Sequence, residues 1–237
     1  MKRGKRLYIN ITNRCNTDCP FCCMHSSTKN SLDMDFLIYK EIIDRTREEF
    51  ELQLEGGEPL LHPQLYPFME YACFTGRCKK ILILSNGILL EKHLHRLHEF
   101  ALLNHIPAEI KVSVNYWLNK EHCGHLNIVE SMIAESESMP FLHLCCNVRL
   151  RHEDEALRKE IESRPLLAAY SNIYYLQSYG RLKDSAYQKP VIVQNIESWE
   201  LYATDGHCFN QNLEARSLHE EELAKERYKK TKSGGSR

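Results

Sequence analysis

Cys15, Cys19 and Cys22 stand as C-x3-C-x2-C in the run Cys15-Asn-Thr-Asp-Cys19-Pro-Phe-Cys22, directly after a short strand-like stretch. Iron–sulfur clusters are held by thiolates, normally four. Three cysteines in one short loop hold three irons of a cubane and leave the fourth open to a ligand, the open position that separates catalytic from closed structural metal sites. Cys23 is an adjacent fourth thiol. Neighbouring residues of an extended chain point in opposite directions, which argues against Cys22 and Cys23 sharing one cubane. Structural zinc usually pairs two short cysteine knuckles, and the next cysteine is Cys73. From spacing alone, an iron–sulfur site, a zinc site and plain reduced thiols all stay open.

A second group follows the next strand-like run as Glu55-Gly56-Gly57-Glu58-Pro59-Leu60. Two glycines at a strand end let a ligand approach the backbone closely, and Glu58 is placed to receive an ammonium group. Alone, Gly-Gly after a strand is also an ordinary turn.

The elements that position these groups alternate. Strand-like runs occur at Leu7–Thr12, Glu51–Glu55, Ile81–Leu84, Ile110–Val114, Phe141–Leu150 and Ile173–Tyr179. Between them apolar residues recur at helical spacing: Phe36, Tyr39 and Ile43 after Ser31 and Asp33 as caps; Leu65, Phe68 and Ala72; Leu90, Leu94 and Leu97; Leu126, Val129 and Ile133; Leu157 and Ile161. Six strand–helix units imply a parallel sheet with right-handed crossovers. A full eight-unit barrel takes about 250 residues, so the expected fold is α/β, a partial (β/α)6 TIM-like barrel. Residues 1–190 form its core domain. Residues 191–237 form a C-terminal extension, with a hairpin around Thr204-Asp205-Gly206, a polar helix and a basic tail.

The chain has 31 Lys+Arg against 32 Asp+Glu and a net charge of −1, which argues against a broad nucleic-acid-binding face. Its ten cysteines in 237 residues fall short of the roughly 8–10% of a disulfide scaffold. No run approaches the roughly 18 apolar residues of a membrane span, and the basic start is followed by too short an apolar stretch for a signal peptide. These features predict a cytoplasmic protein with reduced thiols and no membrane contact.

The three cysteines with Phe21 before the last, together with Gly56-Gly57-Glu58-Pro59, resemble the radical S-adenosylmethionine (radical SAM) superfamily. Leu84-Ser85-Asn86-Gly87 looks like its third-strand motif. Val112-Ser113-Val114-Asn115 is similar to its fourth-strand pattern, with Asn115 where Asp is common. Gln177-Ser-Tyr-Gly180-Arg181 looks like the segment ending strand six in many members. The resemblance implies a [4Fe–4S] cluster ligated by Cys15, Cys19 and Cys22, its open iron chelated by the amino and carboxylate groups of SAM. It further implies reductive SAM cleavage to a 5′-deoxyadenosyl radical that abstracts hydrogen from a small-molecule or peptide substrate, with an electron donor such as flavodoxin or ferredoxin. By the same carry-over Phe21 packs near the adenine, and Gly56, Gly57 and Glu58 hold the methionine ammonium. Ser113 contacts SAM, and Ser85 and Asn86 line the site. Arg149 or Arg151 is placed after strand five to pair with the SAM carboxylate. Such an enzyme is oxygen-sensitive.

Other features have plainer readings. His122-Cys123-Gly-His125 matches no metal motif, and His93, His95 and His98 fall on a solvent-facing helix side. Cys73, Cys78, Cys145 and Cys146 read as small buried hydrophobes. Cys208 is the one cysteine after strand six, too few for a second cluster without Cys123 or Cys145. Arg181 and Lys183 are placed either to meet an anionic substrate group or to face solvent, and Lys225–Lys232 reads as a solvated helix end. Two competing functions survive: an activase that places a radical on a glycyl-radical protein, and a non-catalytic iron–sulfur or zinc protein.

Overall fold

The computed structural model describes residues 3–188 and 196–233. The chain forms two compact units, Met1–Cys78 with Gln177–Arg237, and Lys79–Leu176. The expected boundary near residue 190, the side chains of 227–232 and the tail beyond 233 lie outside what is described.

The first unit contains β1 (Arg3–Thr12), α1 (Phe36–Arg45), β2 (Phe50–Gly56), α2 (Leu65–Phe74), β7 (Ile196–Tyr202) and α8 (Leu213–Ser233). β1 is paired in parallel with β2 on one side and β7 on the other. Its alternate residues Leu7, Ile9 and Ile11 are fully buried, as are Leu52 and Leu54 of β2, and Tyr39, Ile42, Ile43 and Phe68 of the helices. The opposite face carries Arg6, Tyr8, Asn10 and Thr12, as the period of a strand requires. The register slips between Asn10 and Thr12. Such a slip bends a strand end, here just before the cysteine run. Asp35, not Ser31 or Asp33, caps α1, its side chain accepting from Leu37 N at 2.8 Å. Asp33 is engaged elsewhere, accepting from Thr12 Oγ1 at 2.6 Å and pairing with Arg14 at 3.2 Å.

The expected turn at Thr204-Asp205-Gly206 is present, with Ala203 N donating to His207 O at 2.9 Å and a local antiparallel bridge between Tyr202 and Cys208. Its first arm, however, is a seventh strand lying parallel to β1, beyond the six expected. Trp199 and Leu201 of that strand are buried against Tyr8, Phe209 and Leu213.

The second unit runs β3 (Cys78–Ser85), α3 (Leu90–Leu103), β4 (Ala108–Asn115), α4 (Tyr116–Glu121), α5 (His125–Ser136), β5 (Leu142–Leu150), α6 (Glu155–Glu162), α7 (Pro165–Tyr170) and β6 (Ser171–Tyr175). Its strands lie in that order, all parallel. Ala108, Ile110, Val112 and Val114 are buried and alternate with Glu109, Lys111 and Ser113. Two short helices were not expected: α4, capped by the Asn115 side chain, and α7, opened by Pro165. β6 is shorter than expected, because the chain leaves the ladder after Tyr175 and turns through a short helical turn at Gly180–Leu182. Strand–helix alternation with parallel pairing is the α/β class expected from the sequence.

Candidate functional site

The cysteine run leaves β1 as a loop that returns beside its own start. Asn13 N donates to Leu32 O at 2.9 Å, Cys15 N to Ser27 O at 3.1 Å, and Met34 N to Ile11 O at 2.8 Å. Cys15, Cys19 and Cys22 are half-buried and free of disulfides, and they lie within electrostatic range of one another. Burial pushes the Cys15 thiol up to about 12 and the Cys19 thiol up to about 11. Thiolates form there when metal displaces the protons. Among the described residues no three His, Cys, Asp or Glu side chains are grouped to hold a single ion. A cubane makes no such demand, since each cysteine binds a different iron.

Gly56-Gly57-Glu58 is laced to the same stretch of chain. Gly57 N donates to Thr12 O at 2.7 Å and Glu58 N to Arg14 O at 2.8 Å. A β-carbon on Gly56 would lie 2.2 Å from the Thr12 carbonyl oxygen, and one on Gly57 2.0 Å from that of Arg14. The two glycines are therefore required by the backbone that delivers Cys15, besides any ligand. Glu58 is fully buried, its Oε1 accepts from Leu60 N at 3.1 Å, and its charge acts on Cys15. Phe21, half-buried, rides on the cysteine loop. The first unit thus brings together seven of the sequence-derived positions: Cys15, Cys19, Phe21, Cys22, Gly56, Gly57 and Glu58.

Beneath them lies a buried polar layer that sequence reasoning missed. Arg216 of α8 pairs with Glu55 at 2.7 Å, and Glu55 also accepts from Gln53 at 2.6 Å. Glu220, one turn further along α8, accepts from Asn10 Nδ2 at 2.8 Å and from Thr204 N at 2.7 Å. Burial raises the Glu220 pKa, and the hydrogen bonds from Asn10 and Thr204 only partly offset it. Ser217 donates to the carbonyl of Cys23. The spacing of Arg216 and Glu220 by four was the available signal. The segment reads only as a polar helix, because α8 has no apolar stripe to mark its inner side.

The second unit holds the other four positions. Ser85 Oγ accepts from Gly87 N and Asn86 Oδ1 from Ile88 N, both at 3.0 Å, and the Asn86 carbonyl meets His125 Nε2 at 2.9 Å. Ser85 pairs with Val112 and shares its face, whereas Ser113 and Arg149 belong to the opposite face. Asn115 caps α4, accepting from Leu118 N at 2.9 Å, so its amide oxygen serves where a carboxylate would. Arg151 is held by Asp154 at 2.6 Å and lies 3.6 Å from the Tyr116 ring centre. Arg149 lies 4.4 Å from the Tyr174 ring centre, and its buried Nη1 has no hydrogen-bond partner among the described residues. Of the two arginines, Arg149 is the one with a buried donor that has no partner among the described residues, whereas Arg151 is neutralised by Asp154 and Glu153. His125 and Cys146 are buried, His95 and Cys123 exposed.

A family model of the Radical SAM superfamily matches residues 9–132, just over half of the chain. GTP 3′,8-cyclase of Aquifex aeolicus is 32% identical over 104 residues, covering 41% of this chain and 32% of the cyclase. The antilisterial bacteriocin subtilosin biosynthesis protein AlbA of Bacillus subtilis is 31% identical over 84 residues, covering 35% of this chain and 18% of AlbA. The matches span about a third or less of these curated relatives' length. In fold, the chain is similar to anSMEcpe with bound AdoMet (TM-score 0.53, 13% identity, 73% of this chain and 52% of that one). It is also similar to SuiB of Streptococcus suis bound to precursor peptide SuiA (TM-score 0.51, 12% identity, 77% and 41%). The superfamily's cofactors are a [4Fe–4S] cluster and SAM, and three soft thiols on one loop with a fully buried carboxylate in electrostatic range fit them. The chain belongs to the radical SAM superfamily.

Proposed function

We propose that this chain is a radical SAM enzyme that abstracts hydrogen from a small-molecule or peptide substrate. The observation that carries the reading is the lacing of Gly57 and Glu58 to Thr12 and Arg14, which fixes an acidic, glycine-flanked turn beside Cys15. Cys15, Cys19 and Cys22 are the residues that would hold the cluster, and Gly56, Gly57 and Glu58 those that would receive the methionine ammonium of SAM. When bound, the reduced cluster supplies the electron that splits SAM into methionine and a 5′-deoxyadenosyl radical. The chain's own part is binding and orientation. In the first unit Glu58 offers a negative charge to the ammonium and Phe21 a ring surface for the adenine; in the second, Arg149 Nη1 is an unmet donor open to an anionic group. Ser85 and Asn86 shape the turn after β3, and Ser113 presents a hydroxyl on the Arg149 face of the sheet. The polar layer under the loop keeps its backbone in place.

The two substrate classes follow what the relatives' names say of them, a GTP cyclase on one side and a protein bound to a precursor peptide on the other. A cytoplasmic setting with a flavodoxin- or ferredoxin-like electron donor completes the reading. No helix of the described residues is long and apolar enough to cross a membrane. The test is anaerobic. Chain reconstituted with iron and sulfide, given SAM and a strong reductant, releases 5′-deoxyadenosine and methionine, and SAM shifts the EPR signal of the reduced cluster. Absence of both products together with an unshifted signal overturns the reading.

A further inference from the structure

The segment after β6 reaches back to the cysteine loop. Arg181 Nη1 donates to Cys19 O at 2.6 Å, Arg181 Nη2 to Ser26 O at 2.8 Å, and the Arg181 backbone N–H to Cys22 O at 3.2 Å. Gly180, with φ of 64°, presses against the same arm. A β-carbon there would lie 2.4 Å from Cys23 Cα and 2.8 Å from the Cys22 carbonyl oxygen. Tyr179 hydrogen-bonds the Cys23 thiol, and Ser217 takes the Cys23 carbonyl from the other side. Within this arm His25 sits at φ 52°, a conformation rarely adopted by a side-chain-bearing residue. It persists only where the surroundings determine it.

The Cys19–Ser26 arm therefore has its carbonyls fixed largely by donors from far away in the chain. A guanidinium is suited to this because its planar fork presents parallel N–H groups, whereas an ammonium is a point donor that cannot reproduce the fork. By its sequence position alone, Arg181 is placed to meet an anionic substrate group or to face solvent. Its terminal nitrogens instead go to two carbonyls of the loop.

We propose that Arg181, seated by Gly180, is a positioning residue that locks the Cys19–Ser26 arm in its ligating conformation before iron arrives. The proposal rests on the cluster reading above, but one arm of its test does not need a cluster. In the metal-free chain, amide hydrogen exchange across residues 19–26 is compared for the wild type, Arg181→Gln and Arg181→Lys. In the reconstituted chain, the rate at which a chelator strips iron is measured for the same three. Exchange in the arm should rise about tenfold in Arg181→Gln, reflecting two lost hydrogen bonds to a charged group, with the rest of the chain unchanged. Arg181→Lys, which restores one bond at most, should rise about threefold. Iron loss should follow the same order. Unchanged exchange in the arm of Arg181→Gln, or a rise spread evenly over the whole chain, overturns the proposal. A wild type that takes up no cluster would sink the functional reading, and the metal-free comparison would still decide the role of Arg181.

Discussion

The two compact units treat their candidate residues in different ways. In Met1–Cys78 with Gln177–Arg237, the cysteine loop and the Gly-Gly-Glu turn are tied to one another backbone to backbone, and Arg181, Ser217 and the Glu55–Arg216 pair hold them from beneath. In Lys79–Leu176, Ser85, Asn86 and Asn115 mostly serve the turns and helix they start, and Arg149 is left with an unmet donor. The difference separates two tasks. On the proposed function, the over-determined unit is the one that would hold the cluster, and the unmet donor of the other is open to a ligand.

The comparison is broken most directly at the cysteines. Cys19→Ala should take iron content after reconstitution from about four per chain to near zero, and a brown chromophore retained with normal iron would overturn the ligand set. Next comes the lacing. Gly57→Ala puts a β-carbon 2.0 Å from the Arg14 carbonyl oxygen, while Gly124, at φ 78° in the other unit, has nothing within 4 Å. Gly57→Ala should cost about 3 kcal/mol in urea unfolding and Gly124→Ala about 1 kcal/mol. Equal costs would mean that the first unit is not the tighter one. In the second unit, Arg149→Met should weaken SAM binding about tenfold by isothermal titration with iron content unchanged. Arg151→Met, already held by Asp154, should change it less than about twofold.

The smallest effect is a pair of opposite pH slopes. Glu220 has its pKa raised above the ordinary 4.5, chiefly by burial. Its contribution is fully present below the unfolded value and is lost as pH rises through the folded one. Burial also pushes Glu109 up, but the hydrogen bond and charge of Lys80, aided by Lys111, hold its pKa below 4.5. Its contribution is present above 4.5 and lost as pH falls through the folded value. The unfolding free energy of wild type relative to Glu220→Gln should therefore decline as pH rises above 4.5, and that relative to Glu109→Gln as pH falls below it. Denaturant titrations at pH 4 and 7 check both signs, and slopes of the same sign would remove this contrast between the units.

Legibility followed the range of the forces. The cysteine spacing, the Gly-Gly-Glu turn and the strand–helix alternation are local patterns, and each was readable from the sequence as such. The cap of α1 moved to Asp35 because Asp33 is taken by Thr12 and Arg14, a contact across the loop. β7 passed for a hairpin arm because its partner, β1, lies some 190 residues away in the chain.

The sequence by itself determined the chemistry: three thiols on one loop, an acidic glycine turn, and the α/β alternation that delivers both. Only the tertiary structure decided how they are held. It gave Gly56 and Gly57 to backbone packing, turned Arg181 toward the loop's carbonyls, and buried Arg216 and Glu220 of a helix that reads as polar throughout. The physical reason is that local periodicity encodes an element and its apolar face. A buried polar contact between distant residues leaves no period in the sequence, and it exists only once the fold has brought donor and acceptor together.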